Sequence, residues 1–248
     1  SRTVTGDSGF AAGVLTLKKN GTVKTEAFAF SVPEPEPYVY NFTTASSDSE
    51  FKVVNGKVIK YFGVGGTEES PTQVMPEVLI FPEGSVSLET HDYLSSGLKK
   101  SDVKALIFPD GFEMLKNLTI TVPIFRRYTS LEAVYFPDSL TKICQFPSNP
   151  AHPGQAGEIF SGCTNLKYVR LSDKTTVLPF ASFREISLKC INIPSGLEQF
   201  SGSVLLTASL LRNTFVIPKT VTQFGHNIIG EKTVTDGLYV GAMQALHQ

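Results

Sequence analysis

The sequence lacks features on which several large classes of protein depend. It contains no tryptophan, and its three cysteines, Cys144, Cys163 and Cys190, are an odd number with wide spacings. Such cysteines form neither a disulfide framework nor a zinc site, whose ligands come in close pairs, and they are typical of small buried positions. No apolar run approaches the roughly 20 residues that a membrane-spanning helix needs. These absences argue against a disulfide scaffold, a zinc centre and direct insertion into a membrane.

Charge is sparse and balanced. Charged residues make up 18% of the chain and the formal net charge is −1, which leaves no basic stripe for nucleic acid. The four histidines, His91, His152, His226 and His247, are scattered without a partner at metal-ligand spacing. The lone dipeptide His91-Asp92 is too nonspecific to indicate a catalytic dyad. We therefore predict a protein that is not an enzyme, has no cofactor or metal, and does not bind nucleic acid.

The chain does have a short unit that keeps returning, in which an apolar strand core is followed by proline and a polar residue. Its copies lie at 79–84, 106–111, 134–139, 191–196 and 215–220, with versions that lack the proline at 169–173 and 238–241. The proline or its equivalent recurs after 27, 28, 35, 22, 24 and 23 residues. Repeats with a period of about 20–50 residues indicate a solenoid or an array. The 18 Phe, 15 Pro and 20 Gly residues suit many short strands that are broken by turns.

The first part of the chain differs from this array. Asn20-Gly21 lies between two strand-like runs and predicts a hairpin, because both residues tolerate a positive φ. The alternating prolines of 33–37 cannot pair within a central strand and indicate an extended connector. We predict a small β-rich N-terminal segment over residues 1–48.

The remainder, 49–248, is predicted to be the solenoid. Asn55-Gly56 indicates a second hairpin just before the first repeat. A solenoid needs its open end covered, since the first repeat would otherwise expose its apolar face. We therefore assign 49–76 to an N-terminal cap and 77–248 to the repeats.

Two stretches make the resemblance to a family specific. Residues 159–171 read IFSGCTNLKYVRL and residues 215–225 read FVIPKTVTQFG. They resemble the bacterial leucine-rich repeats of the BspA-like (Treponema pallidum) type, whose unit runs roughly L-x-x-I-x-I-P-x-x-V-T-x-I-G-x-x-A-F-x-x-C. The similarity extends over about 51–248. It implies a β-rich α/β solenoid, a leucine-rich-repeat array with short parallel strands on one face and irregular turns or short helical pieces on the other. It also implies that Cys163 packs at a turn.

The same resemblance carries an expectation about function. It implies a non-enzymatic, secreted or cell-surface bacterial protein that adheres to a host or bacterial surface protein or to a glycan. The alternative is a structural spacer, or a virion or appendage module, with no ligand of its own. The sequence leaves the ligand, the source and the oligomeric state open.

Strand alternation predicts which side chains form the surface. One outward row contains Ile80, Ile107, Tyr135, Arg170, Asn192, Val216 and Tyr239. Its neighbour contains Val78, Ala105, Ala133, Tyr168, Cys190, Thr214 and Gly237. Apolar and aromatic residues with arginine are typical of contact surfaces, although another segment or domain could cover this sheet instead. The predicted binding residues are Ile107, Tyr135, Tyr168, Arg170, Asn192 and Tyr239.

Overall fold

The structure, a computed structural model, divides the chain into two compact units, Ser1–Tyr40 and Asn41–Gln248. It describes residues 2–3, 9–19, 22–32, 43–88, 102–115, 124–143, 157–188, 190–191, 193–205, 209–226, 228 and 234–240. The division falls before Asn41, whereas the sequence placed a boundary after residue 48. Ala45, which lies in the second unit, forms a parallel bridge to Val78 in the repeat array.

The first unit is an antiparallel sheet of three strands. These are β1 (Arg2–Thr3), β2 (Gly9–Lys19) and β3 (Thr22–Val32). The pairing of β2 with β3 runs from Gly9↔Val32 to Lys19↔Thr22. The register confirms the predicted hairpin, although Asn20-Gly21 itself and the proline-rich connector lie outside the described residues.

The second unit contains one described 3-10 helix, Asp48–Glu50, and a succession of short strands. In chain order the strands are β4 (Phe51–Val54), β5 (Lys57–Tyr61), β6 (Val78–Ile80), β7 (Ser87–Leu88), β8 (Ala105–Ile107), β9 (Met114–Leu115), β10 (Ala133–Tyr135), β11 (Tyr168–Arg170), β12 (Val177–Leu178), β13 (Cys190–Ile191), β14 (Gln199–Phe200), β15 (Ser209–Ile217), β16 (Gln223–Phe224) and β17 (Val234–Val240).

Five short strands, one from each of five successive repeats, build a parallel front sheet in the order β13-β11-β10-β8-β6. Its register joins Leu79 to Leu106, Leu106 to Val134, and Val134 to Val169. Strands β15 and β17 also pair in parallel, with Val216 opposite Tyr239. These registers are those that the repeat spacing predicts, which confirms a solenoid of short parallel strands.

The returning segments form strands of their own. Strands β5, β7 and β9 are parallel neighbours, as are β12, β14 and β16. A parallel bridge from Met114 to Lys142 extends the first of these back sheets by one repeat. The sequence had indicated irregular turns or short helical pieces here. The described returns are instead two-residue strands, and four of them bury an apolar side chain in the core, namely Leu88, Leu115, Leu178 and Phe200.

The second Asn-Gly hairpin lies at the end of the back sheet. Asn55 and Gly56 have φ values of 51° and 74°, the left-handed conformation that this dipeptide adopts in two-residue hairpins. Strand β4 pairs antiparallel with β5, and β5 then pairs in parallel with β7 of the first repeat. Phe51 lies 5.8 Å from Phe81, ring centroid to ring centroid, so the hairpin packs on the first repeat.

Phenylalanine rings stacked along the array form the centre of the core. Phe81 and Phe108 lie 4.4 Å apart between centroids, and Phe108 and Phe136 lie 5.0 Å apart, both pairs being stacked. A second stack joins Phe125 to Phe160 at 5.7 Å, and Phe160 continues to Phe183 at 5.8 Å. The repeats are therefore coupled to their neighbours through the core as well as through the sheet.

Candidate functional site

Four residues at the carboxyl ends of β6, β8, β10 and β11 form the central feature of the front sheet. They are Ile80, Ile107, Tyr135 and Arg170, here called the front row. Each lies beside the next in the parallel register, at the strand spacing of about 4.8 Å. The residue before each one points into the core and is buried. The alternation that the sequence predicts is confirmed for this row.

The front row is open to solvent. Ile80 is 38% exposed and Tyr135 is 41% exposed, while Ile107 and Arg170 are partly buried. Apolar side chains rarely line up in an exposed row on a soluble protein unless they contact something else. The row therefore meets the first requirement of a binding surface.

Arg170 is held in place by three contacts. Its Nη1 donates to the backbone oxygen of Phe136 at 2.6 Å, and its Nη2 donates to Oδ1 of Asp138 at 2.5 Å. Its Cζ lies 5.0 Å from the centroid of the Tyr135 ring, within the range of a cation–π contact. Partial burial alone lowers the pKa of Arg170, but the hydrogen bond and the charge of Asp138 outweigh it and the pKa is raised. The guanidinium is thus a fixed, charged part of the surface.

The second outward row does not form a surface in the first three repeats. Val78, Ala105 and Ala133 are only 5%, 1% and 3% exposed, which corrects the expectation that they face solvent. Alternation fixes the side of the sheet on which a residue lies but not how deeply it is buried. Tyr168 of this row is partly buried.

A row of alternating charge borders the front sheet at the entrance of its strands. Lys104 Nζ lies 2.5 Å from Glu77 Oε1, and Lys167 Nζ lies 3.6 Å from Glu132 Oε2. Glu77 Oε2 also accepts hydrogen bonds from the N–H and the hydroxyl of Thr43, at 2.7 and 3.0 Å. The hydrogen bond from Lys104, followed by those from Thr43, lowers the pKa of Glu77 to about 2. The acidic and basic side chains along this edge therefore pair with one another and leave little net charge.

We expect the Glu77 contacts to make the array sensitive to acid. Because the folded pKa is below the ordinary value of about 4.3, the stabilisation is present above pH 4.3 and is lost as the pH falls through 2. Thermal unfolding from pH 6 to pH 1.5 tests this in the wild type and in Glu77→Gln. The melting temperature of the wild type should be higher at pH 6 and converge with that of the variant near pH 2. Parallel curves would contradict the expectation.

A row of tight turns follows the front strands on their other side. In every described repeat the residue at the proline position accepts a hydrogen bond from the N–H three residues later. The turns are Pro82–Ser85, Pro109–Phe112, Pro137–Leu140, Ser172–Thr175, Pro194–Leu197 and Pro218–Val221, with N···O distances of 3.0–3.1 Å. Gly84 and Gly111 occupy the third position with φ of 77° and 91°, a conformation that favours glycine.

The second residue of each turn is exposed. In chain order these residues are Glu83, Asp110, Asp138, Asp173, Ser195 and Lys219. The first four carry negative charge and are here called the acidic row. These four residues are not among the binding residues predicted from the sequence, although an acidic residue directly after the proline position in four consecutive repeats was the available signal.

Two predicted site residues are not placed by the described part of the structure. Asn192 lies outside the described residues, and Tyr239 lies in β17, whose backbone pairs Tyr239 with Val216 but whose side chains are not described. The structure brings together Ile107, Tyr135 and Arg170 in the front row. The assignment of all six as binding residues stays a prediction.

Cys163 has a packing role, as the resemblance implied. It is fully buried, and its thiol donates to the backbone oxygen of Phe125 at 3.1 Å. Burial raises the pKa of the thiol to about 12, so it is not a thiolate nucleophile near neutral pH. Within the described ranges, no group of three or more His, Cys, Asp or Glu side chains is placed to hold a metal ion. No helix in the described part of the chain is long and apolar enough to cross a membrane.

Three solved structures of bacterial leucine-rich repeat proteins are similar to this chain. The T. pallidum protein TpLRR shares 18% identity at a TM-score of 0.40, over 75% of this chain and 78% of that one. A leucine rich cell surface protein from Faecalibacterium prausnitzii A2-165 shares 12% identity at a TM-score of 0.41, over 81% and 55%. A protein from Bacteroides ovatus ATCC 8483 shares 12% at 0.31, over 95% and 67%.

A match to a known repeat family identifies the type of repeat more specifically than these structural similarities do. Comparison with curated protein sequences gives no match. Residues 156–236 match the BspA type leucine rich repeat region in six copies. The matched span includes β11 to β16 and the turns that begin at Ser172, Pro194 and Pro218. This match agrees with the resemblance that the sequence indicated, and it covers residues 156–236 of the chain.

Proposed function

We propose that this chain is a non-enzymatic binding protein, secreted or displayed at the bacterial cell surface, that adheres to a partner through the front row. The observation that supports the proposal is the in-register line of Ile80, Ile107, Tyr135 and Arg170 on an exposed sheet face. Tyrosine and arginine are the residue types that most often dominate binding energy at protein interfaces.

The mechanism is the presentation of a preformed surface. The parallel register and the stacked rings of Phe81, Phe108 and Phe136 hold the strands, and Arg170 is fixed by Phe136, Asp138 and Tyr135. A partner that binds side chains already held in place loses less conformational entropy on association.

The aliphatic side chains of the front row support a protein partner over a glycan. Ile80 and Ile107 occupy half of the front row, and they offer apolar area but no hydrogen bond to a sugar hydroxyl. Tyr135 and Arg170 suit either partner, since a sugar ring can stack on tyrosine and bond to a guanidinium. The first experiment therefore includes both classes.

The test is a binding screen of the full chain against host extracellular-matrix proteins, bacterial surface proteins and a glycan array. Each hit is measured again with I107S/Y135A and with the control variant V74S/V177S. The control removes exposed apolar side chains that lie away from the front row. We expect I107S/Y135A to weaken binding at least tenfold, with an unchanged melting temperature, and the control to bind as the wild type does.

Two other outcomes bear on the proposal. A hit that I107S/Y135A binds as tightly as the wild type does would move the site away from the front row and contradict the proposal. The absence of any hit would favour the alternative of a structural spacer or appendage module.

A further inference from the structure

The contacts of Arg170 show how this surface accommodates a cation. The guanidinium lies between a residue of the front row, Tyr135, and a residue of the acidic row, Asp138. It stacks on the first and donates a hydrogen bond to the second. One basic side chain can therefore contact both rows at the same time.

The two preceding repeats have the same two rows but no basic side chain between them. Ile80 and Glu83 stand in the first, and Ile107 and Asp110 in the second. In the front row, Tyr135 has Arg170 as its neighbour in the next strand. Ile107 has Tyr135 in the equivalent position, and Ile80 has Ile107. Both neighbours are uncharged, so the exposed carboxylates of Glu83 and Asp110 have no cation in the front row.

We propose that the front row and the acidic row together bind an amphipathic helix of a partner protein with lysine or arginine along one flank. Its apolar face packs on Ile80, Ile107 and Tyr135, and its basic side chains lie beside Glu83 and Asp110 as Arg170 lies beside Asp138. This inference rests on the proposed function and adds the chemistry and the secondary structure of the partner.

The spacing of the rows favours a helix over an extended segment. Adjacent strands are about 4.8 Å apart, and the turns of a helix repeat every 5.4 Å. Side chains on one face of an extended strand repeat every ~6.6 Å, which falls out of step by nearly 2 Å at each repeat. The three intervals from Ile80 to Arg170 span about 14 Å, the length of a helix of roughly ten residues.

The charge of the flanking rows fixes the side on which the basic flank lies. The row at the strand entrances pairs internally, through Glu77 with Lys104 and Glu132 with Lys167, and offers little net charge. On the other side of the sheet, the second residue of the turn is acidic in the first four repeats. It is Ser195 in the next repeat and Lys219 in the one after, and both are exposed. A basic helix is therefore attracted to the first four turns and not to the later ones.

The experiment uses the full chain and three fluorescent synthetic peptides of about 14 residues with one shared leucine face. The polar positions are lysine in the first, glutamate in the second and glutamine in the third. Fluorescence anisotropy should show the lysine peptide binding at least tenfold more tightly than the other two. Its affinity should fall at least tenfold from 50 to 500 mM NaCl, since exposed charges are screened by salt.

Matched variants distinguish binding to the two rows from a general effect of the net charge of the protein. E83Q/D110N/D173N neutralises exposed carboxylates and leaves Asp138 with Arg170, while E69Q/E113Q/E198Q removes the same charge at exposed positions outside the acidic row. We expect the first variant to weaken the lysine peptide at least tenfold and the second less than twofold. I107S/Y135A should weaken it at both salt concentrations.

Equal losses from the two charge variants would overturn the inference, because net charge alone would then explain binding. Tighter binding of the glutamine or glutamate peptide, lost in I107S/Y135A, would also overturn it but leave the proposed function standing. If no peptide binds but a hit of the screen is lost in I107S/Y135A, this inference alone fails. If neither the peptides nor the screen depends on the front row, both fail.

Discussion

Replacing Phe108 with alanine is expected to lower the free energy of unfolding by about 3–5 kcal/mol, the loss typical of a large aromatic side chain removed from a packed core. Phe108 is only 2% exposed, and its ring lies 4.4 Å from that of Phe81 and 5.0 Å from that of Phe136, between centroids. It also contacts the ring of Phe112 at 4.7 Å. The substitution leaves a cavity among these rings, and a neighbouring ring that moved into it would leave a second cavity behind.

The position of Phe108 within the array adds a second consequence. The stability of a repeat array is roughly the sum of its units and of the contacts between neighbours. Loss of the central ring of a stack therefore weakens the coupling between the first repeats and the rest. Urea unfolding, followed by tyrosine fluorescence and by circular dichroism, should become broader in Phe108→Ala, with the two probes no longer coincident.

Phe224 provides the matched control because it undergoes the same chemical change at an exposed position. It is 43% exposed and contacts Phe200 at 6.4 Å between ring centroids. We expect Phe224→Ala to cost about 1 kcal/mol or less. Similar losses in the two variants would show that the phenylalanine stack does not carry the stability of the array.

The inward face of the front sheet could be predicted from the sequence because each repeat has an apolar residue at the same inward position. Leu79, Leu106 and Val134 occupy equivalent positions, and a one-residue shift of register would place all of them on the solvent side. The rule for Asn-Gly turns works for a similar reason, since Asn55 and Gly56 encode their turn locally. Patterns that are local or strictly repeated are the ones that sequence reasoning recovers.

The features that the sequence did not reveal depend on how deeply a side chain is buried or on how short a strand is. Ala105 and Ala133 are buried although they lie at outward positions, which alternation along one strand cannot show. Strands such as β7 and β12 are two residues long, too short for any hydrophobic period to appear in them. They form because each pairs with the equivalent segment of the next repeat, β7 with β9 and β12 with β14.

The candidate site shows the same limit. The front row was recognisable because strand alternation places an unusually apolar and aromatic row on the outward side. The acidic row was less visible, since acidic residues after proline are ordinary in turns. Only the register of the turns, in which Ser139 Oγ accepts from the N–H of Gly111 at 3.0 Å, shows that these residues stand beside one another.

Removal of the Glu50 carboxylate is the second change for which we expect a large effect. Glu50 is 6% exposed, and its carboxylate accepts hydrogen bonds from the hydroxyl of Tyr61 at 2.9 Å and the N–H groups of Gly65 at 2.7 Å and Ser47 at 3.1 Å. One side chain thus joins the 3-10 helix, the hairpin and the loop that leads to the first repeat.

Glu50→Ala should lower the free energy of unfolding by about 2–4 kcal/mol. Each hydrogen bond to a charged group contributes about 1.5–3 kcal/mol, and water can replace the acceptor at the exposed Ser47 and Gly65 but not at the buried Tyr61. Tyr61→Phe removes only one of the three bonds and should cost about 1–2 kcal/mol. Urea unfolding of both variants and of the double variant gives the coupling energy between the two side chains.

The phenol of Tyr61 reports independently on the same contact. Burial raises the pKa of Tyr61, and the hydrogen bond with Glu50 and the Glu50 charge raise it further. In Glu50→Ala the pKa should fall but stay above its ordinary value, because the burial remains. Ultraviolet titration, with Tyr61→Phe subtracted to isolate this phenol, measures the change. An unchanged pKa would contradict the assigned contact.

The location of Glu50 determines how the loss should spread through the molecule. Phe51 and Tyr61 lie 4.7 Å apart between ring centroids, and Phe51 contacts Phe81 of the first repeat. A hairpin loosened at Glu50 therefore uncovers the end of the phenylalanine stack, and the array should fray from that end. Amide hydrogen exchange should speed up first in β4, β5 and β7 and last in β14. Uniform acceleration along the array would mean that the hairpin does not act as its cap.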